Sequence, residues 1–299
     1  MNLRHLYMFK TVAEEGSMSK AGKILYMSQP AVSQTILELE ETLNVKLFER
    51  LNKKLVLTNP GEILYSYAKR ILLLVNEAEN SMKDISNATK GKLTLGASTT
   101  IGIYLVPKIV GHFIQQYPRI DINYMIDNTR IIEQMILDHK IDIGLVEGTS
   151  YSKEIAVHHF LDDELHLTCS PEHSWIKAGQ LSVEPEEISS QSLILREKGS
   201  GTRQVVEKAM SDHGLTYHTS HVLNNTEAIK KAVEANIGVA FFSEMSINEE
   251  ISLHKLYTVK IKGVNITRQF NIIYHTDKYK SPVFNTFLNH IAKYKNTDT

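Results

Sequence analysis

Residues 17–50, SMSKAGKILYMSQPAVSQTILELEETLNVKLFER, are the segment whose reading decides the fold. Their spacing predicts two short helices presented to DNA and the start of a wing. The first helix covers about residues 18–25, with Ala21 and Leu25 four apart on a buried stripe and Lys20 and Lys23 on the wet side. A turn through Tyr26 and Met27 ends at Ser28, whose hydroxyl suits an N-cap. Pro30 then falls in the first turn of the second helix, where its missing N–H costs nothing. Ala31, Val32, Ile36 and Leu39 give that helix an inward face. Ser28, Gln29, Ser33, Gln34 and Thr35 remain near its start, polar side chains of the kinds that reach phosphate oxygens and base edges. Gln pairs with adenine at two points, so Gln29 and Gln34 come first for base reading.

Charge alone would not single out a DNA binder: between residues 4 and 54 eight Lys and Arg stand against six Asp and Glu. An ordinary helical hairpin also has this spacing. Two further features favour DNA. Residues 50–58, RLNKKLVLT, combine Arg50, a turn at Asn52, the basic pair Lys53 and Lys54, and an apolar run, as a hairpin wing along a backbone or minor groove would. Ahead of the motif, Leu6, Phe9 and Val12 form a helical stripe that covers the back of the hairpin.

At 299 residues the chain has room for two or three compact units, and its net charge of −1 means that the rest offsets the basic start. The single cysteine, Cys169, forms no intramolecular disulfide and fits a reducing cytoplasm. No stretch reads as a secretion signal or a membrane span, so a cytoplasmic protein without membrane contact is expected.

From 60 to 88 a helical stripe continues through Ile63, Leu64, Tyr67, Ala68, Ile71, Leu72, Val75, Ala78, Met82 and Ile85. At helical rise these residues span roughly 43 Å. A stripe of that length wants a partner helix, and a homodimer through this linker is preferred over packing on its own domain. A hinge at 89–91 follows. Periodicity then changes. Strands are expected at 92–98, 121–126 and 141–146 and helices at 103–117 and 129–138, the alternation of a mostly parallel sheet. The pattern breaks near Asp162. A strand at 164–169 and an irregular stretch lead to strands at 192–195, 219–223 and 239–242 and helices at 202–213 and 226–234. A strand at 270–274 and a helix at 283–294 close the chain. Two αβ lobes with crossovers near 161–164 and 266–271 are expected, with a cleft suited to a small ligand.

Strand ends nominate the cleft residues. Ser98, Thr99 and Thr100 end one strand where a helix begins, offering hydroxyls and free backbone donors to an anion. In REKGSGTR, Gly199 and Gly201 permit a tight turn, Ser200 and Thr202 present hydroxyls at a helix N-terminus, and Arg196 or Arg203 can clamp a carboxylate. Asn224, Asn225 and Thr226 form a third loop. Each of these polar residues also serves as an ordinary cap. Glu147 would oppose a purely anionic ligand, and contacts an amine, binds through water or points away.

No catalytic or metal constellation is found. His158 and His159 point to opposite sides of a strand, Glu249 and Glu250 read as a solvated turn, Cys169 reads as packed, and GSG is too short for a phosphate loop.

The chain resembles the LysR-type transcriptional regulators over nearly its whole length. The resemblance rests on Phe9, Val12, Ala13, Gly16, Ser17, Ala21, Leu25, Ser28 to Ser33, Ile36, Leu39, Glu40, Leu43, Leu47, Phe48, Arg50, Leu57, Thr58 and Gly61, which join hairpin, wing and linker in one order. It implies an α/β protein with an N-terminal all-α winged helix-turn-helix (1–59), a dimerising linker helix (60–88) and a two-lobed periplasmic-binding-protein-like effector domain. Its lobes are assigned as 92–161 plus 269–299 and 162–268. The family resemblance further implies a homodimer assembled into a homotetramer, and an effector between the lobes that touches residues 98–101 and 199–203. The wording of REKGSGTR and of residues 224–241 is similar to the branch controlling sulfur, nitrogen or carbon assimilation, which implies a small anion or small acid as effector and no cofactor. Three departures stand out. Gly22 replaces the usual alanine, at about 1 kcal/mol of helix preference unless close packing requires it. Leu37 replaces a common basic residue, and Asn44 a common glycine, although Asn tolerates a left-handed cap.

The expected function is a sequence-specific regulator of double-stranded promoter DNA, allosterically biased by its effector and touching RNA polymerase if it activates. The alternatives are a constitutive DNA-binding regulator with a non-sensing C-terminal domain, a solute-binding protein, and an αβ enzyme using the cleft.

Overall fold

A computed structural model describes residues 1–51, 54–84, 90–148 and 152–294, and the chain divides into two compact units at Ser86 and Asn87. In the first unit α1 (Leu3–Glu15), α2 (Met18–Ile24) and α3 (Gln29–Leu43) precede a hairpin of β1 (Phe48–Leu51) and β2 (Lys54–Leu57), and α4 (Asn59–Asp84) follows. The local chemistry explains the boundaries. Ser17 and Ser28 each accept a backbone N–H at the start of α2 and α3, and Asn44 ends α3 in the left-handed region at φ 53°. Phe9, Val12, Ala21, Val32, Ile36, Leu39, Leu47 and Ala68 are fully or almost fully buried together, so α1 and the start of α4 back the hairpin. Gly22 answers the question its sequence raised: a Cβ there would stand 2.7 Å from the Met27 carbonyl oxygen, so the turn leaves no room for alanine. The far end of the linker, the hinge residue Thr89 and the turn residues Asn52 and Lys53 lie outside the described residues.

The second unit runs β3 (Gly91–Ser98), α5 (Thr99–Tyr104), α6 (Val106–Gln116), β4 (Ile120–Asp127), α7 (Thr129–Leu137), β5 (Ile143–Glu147) and β6 (Ile155–Cys169). After it come α8 (Ser174–Lys177), β7 (Ser182–Val183), a 3-10 turn (Pro185–Ser190), β8 (Ser192–Arg196), α9 (Gly201–Asp212), β9 (His218–Leu223) and α10 (Thr226–Glu234). The chain ends with β10 (Ala240–Ser243), α11 (Glu244–Ser252), β11 (Tyr257–Ile261), β12 (Ile266–His275) and α12 (Pro282–Tyr294).

Four expectations change. The helix expected at 103–117 is two helices broken at Leu105, because Pro107 has no N–H to continue the ladder and instead opens α6. Gly91 pairs with Ile120 and belongs to β3, so the strand takes a residue expected in the hinge. The strand expected at 164–169 begins at Ile155, and that expected at 270–274 begins at Ile266. A bulge at Phe270/Asn271 and the run Asp162, Asp163, Glu164 disguise the alternation. The sheet is therefore mixed: β3 is parallel to β4 and β5, while β12 is antiparallel to both β5 and β6.

The β6–β12 pair crosses between two apolar cores. Lobe 1 is built on Leu95, Ile109, Phe113, Ile143, Phe270 and Phe287; lobe 2 on Leu167, Trp175, Leu195, Val206, Met210 and Val259. Cys169 is buried in the second, where burial pushes its thiol up to about 11. Among the described residues no helix is long and apolar enough to cross a membrane.

Candidate nucleic-acid interface and inter-lobe site

On α3, Val32, Ile36 and Leu39 turn inward while Gln29 and Gln34 are exposed and Ser33 and Thr35 half-buried. Three of the five polar residues already have local bonds. Ser28 Oγ accepts the Ala31 N–H at 3.4 Å, and Thr35 Oγ1 donates to the Ala31 carbonyl at 3.0 Å. Gln34 Nε2 donates to Glu38 at 3.2 Å, a surface bond that DNA can replace. Arg50 is exposed on β1 and Lys54 opens β2, while Lys53 is outside the described residues. The turn also presents Tyr26, 97 % exposed at φ 53°, which a search for polar base-reading types passes over.

What holds helix to wing is Glu40. Its buried carboxylate accepts the Leu47 N–H at 2.8 Å and the Phe48 N–H at 3.3 Å, and pairs with Lys46 Nζ at 2.6 Å. Burial pushes the carboxyl up, but Lys46 and the two amides outweigh it and hold the group below the usual carboxylate range. Thr58 completes the join, donating to the Lys46 carbonyl at 2.6 Å and accepting the Gly61 N–H at 3.1 Å.

In the second unit the strand ends converge. Ser98 Oγ donates to Glu147, whose side chain is buried at the end of β5. Thr202, at the start of α9, donates to the same carboxylate at 3.4 Å. Arg196 is buried and spans the lobes: Nη2 donates to Thr99 Oγ1 and Nη1 to Thr226 Oγ1, both at 3.1 Å, while Nε pairs with Glu197 at 2.8 Å. Burial raises the Glu197 carboxyl, yet Arg196 outweighs it and leaves a net lowering. Thr100, Arg196, Thr202, Thr226, Ser243 and Ser246 line a small cavity here, about 10 Å³. That volume is on the order of a single water.

Three expected residues sit differently. Arg203 leaves the cavity, binding Glu207 at 2.7 Å and the Arg196 carbonyl at 3.0 Å. Asn225 caps α10 by accepting from Glu227 and Ala228. Ser200 Oγ is buried without a hydrogen-bond partner among the described residues.

Sequence reading missed the deepest charges. Arg268, on the crossing strand β12, binds Asp163 at 2.7 Å and Thr202 at 2.7 Å and stands 3.4 Å from Glu147; Ser243 also donates to Asp163 at 2.7 Å. Glu250, expected in a solvated turn, is buried on α11 against Lys230 at 2.7 Å. Lys230 also meets Glu227 at 2.9 Å and lies over the Tyr104 ring. Burial opposes the Lys230 charge, but Glu250, Glu227 and Tyr104 outweigh it and raise the ammonium above its ordinary value. Tyr104 donates to Glu227, and burial first, then that bond, push its phenol up to about 12. Apart from Glu227, one turn from Lys230 on α10, the partners in these pairs come from different strands and helices, and no single-residue signal marks them.

Residues 3–62 match the family described as "Bacterial regulatory helix-turn-helix protein, lysR family", and residues 86–295 match the "LysR substrate binding domain". A Phaeodactylum tricornutum protein described as "Probable RuBisCO transcriptional regulator" is 36% identical over 98% of this chain and 97% of its own length. Among solved structures, CbnR complexed with its target DNA has a TM-score of 0.70 at 21% identity, covering 98% of this chain and 99% of that one. The Synechocystis PCC6803 CcmR regulatory domain in complex with 2-PG has a TM-score of 0.64 at 26% identity, covering 70% of this chain and 99% of that one.

Proposed function

The chain belongs to the LysR family of DNA-binding transcriptional regulators, and from that premise we propose a sequence-specific regulator whose promoter occupancy or DNA bending is biased by a small acid between the lobes. The observation that carries the DNA half is the polar flank of α3, with Gln29 and Gln34 exposed and Ser33 half-buried, on a helix whose opposite side is locked into the core. Gln34 and Gln29 read bases; Arg50 and the wing lysines serve the phosphate backbone. Effector binding is supported by the hydroxyls and guanidinium groups gathered at the strand ends, and by the CcmR domain's complex with 2-PG. The regulated process is carbon assimilation, the reading supported by the relatives described as RuBisCO regulators.

Pairing follows from α4. Leu64, Ala68, Ile71 and Leu72 pack on the DNA-binding core, whereas Ile63, Tyr67 and Leu74 are 54, 57 and 57 % exposed. Spaced four and seven apart, these three form the stripe that a second copy of the helix covers. Two such dimers make the tetramer, RNA polymerase is the further partner of an activating form, and the cytoplasm is the compartment.

Duplexes selected from a random pool by the full chain test this. Footprinting on them should show two half-sites, about one helical turn or a multiple of it apart. Gln34→Ala should weaken the selected site about tenfold, within the range for one two-point base contact, and leave the melting temperature unchanged. Failure to enrich any motif, or a Gln34→Ala protein with undiminished specific affinity, would refute the proposal.

A further inference from the structure

Resting on the reading of the cleft as an acid-binding site, we infer that Glu147 is a built-in competitor: its carboxylate fills the anion seat, and an acidic effector binds by displacing it. The donors around Glu147 are those an incoming acid needs. Ser98 Oγ comes from the end of β3, Thr202 Oγ1 from the start of α9, and Arg268 Nη1, 3.4 Å away, from the crossing strand. Every one of them already faces the same buried side chain, which belongs to the protein itself.

The lobes are closed around this arrangement. Arg196 reaches Thr99, Asn128 Nδ2 donates to Glu197 at 3.1 Å, the Arg130 N–H donates to the Gly199 carbonyl at 3.1 Å, and Tyr104 donates to Glu227. Gly201 lies so close to Glu147 that a Cβ would stand 2.1 Å from its carbonyl oxygen. Ser98, Thr202 and Arg268 already face the Glu147 carboxylate, so an acid that takes these donors has to take that carboxylate's place.

Two donors give the acid a reason to win. Ser200 Oγ and Arg268 Nη2 are buried without a hydrogen-bond partner among the described residues. An effector carrying more oxygens than Glu147 satisfies these as well as Ser98 and Thr202. Displacement also couples binding to the switch, because two ionised carboxylates in one buried seat repel each other. Binding energy is thereby tied to movement of the β5 end against α9, the differential contact that ligand-driven switching requires.

The test uses the full chain, with inorganic phosphate and inorganic sulfate as probes in isothermal titration calorimetry. Glu147→Gln keeps the side chain's size and a hydrogen-bonding oxygen but removes the charge. It should bind the probes at least about tenfold more tightly than the parent, the direction set by removing a like charge from the seat. Adding Thr202→Val should abolish the gain, which locates it in the cleft. If parent and Glu147→Gln bind equally and both depend on Thr202, the competitor is overturned while the acid site stands. If neither protein binds either probe, the inference and the acid reading fall together. Should Glu147→Gln fail to fold, Glu147→Asp, whose carboxylate is one methylene shorter, replaces it and has to bind more tightly than the parent.

Discussion

Gly201→Ala tests how closely the lobes of the second unit are fitted. The new Cβ would stand 2.1 Å from the Glu147 carbonyl oxygen and 2.7 Å from its carbonyl carbon, both backbone atoms that no rotamer change can move aside. Ordinary contact lies near 3.5 Å, so β5 and α9 would have to separate by somewhat over about 1 Å. Thr202, the next residue, would be drawn from Glu147 and from Arg268. Hydrogen bonds involving charged groups are worth about 1.5–3 kcal/mol each, and overpacking typically costs about 1–3 kcal/mol. Partial loss of two such bonds sets the expected effect at roughly 2–3 kcal/mol, after a helix-propensity gain of at most about 1 kcal/mol from replacing glycine. For a unit of this size that corresponds to a fall of roughly 4–12 °C in its unfolding transition. Differential scanning calorimetry of the full chain reads it, with the transition of the first unit as internal control. An unchanged or raised second transition would refute the close approach and the closed-lobe argument built on it.

Gly22→Ala should destabilise the first unit by about 1–3 kcal/mol through overpacking against the Met27 carbonyl, whereas helix propensity alone predicts a gain of up to about 1 kcal/mol; urea unfolding distinguishes the two by sign. Acidification should weaken the protein in two stages. Burial first, against a weaker opposing bond, holds His173 and His290 below the ordinary histidine range, so the unfolded chain takes up their protons first and stability falls as pH drops below about 6.5. Glu40, Glu197 and Glu250 are held below the ordinary carboxylate range by Lys46, Arg196 and Lys230 despite burial, so their contribution is complete above about pH 4.3 and disappears as pH falls through their folded values. Urea midpoints across pH 7.5 to 3 should show both declines, and a flat profile down to pH 4.5 would contradict the histidine assignment.

Elements whose cause is local were legible from sequence. Ser28 accepts the backbone donor at the start of α3, and the stripe of α3 buries Val32, Ile36 and Leu39 as its periodicity selects. The strand-end rule likewise brought Ser98, Thr99, Thr202 and Thr226 to one place. Long-range pairing was not legible. Asp163 sits in an acidic run that resembles a solvated loop, yet it is buried because Arg268 and Ser243 meet it from distant strands. Glu250 follows another glutamate and looks equally exposed, until Lys230 is placed beside it. Gly22 and Gly201 carry the same lesson for packing, since the carbonyl each approaches belongs to a turn or strand whose position periodicity does not supply.

These buried pairs limit how the cleft can respond. Arg196, Lys230 and Arg268 each face a carboxylate, so the charges in the closed lobes are buried in compensated groups. A neutral ligand entering such a site leaves every pair intact and exchanges no charge. On the proposed exchange an acid would replace one carboxylate by another and could add bonds at Ser200 Oγ and Arg268 Nη2, both buried without a hydrogen-bond partner among the described residues. Moving a two-state equilibrium from 1:99 to 99:1 needs about 5.5 kcal/mol of differential binding. Two newly satisfied buried donors, at about 1–3 kcal/mol each, reach that scale only near the top of their range. On the proposed exchange, repacking where the β5 end meets α9, at the close Gly201–Glu147 approach, would have to supply the remainder.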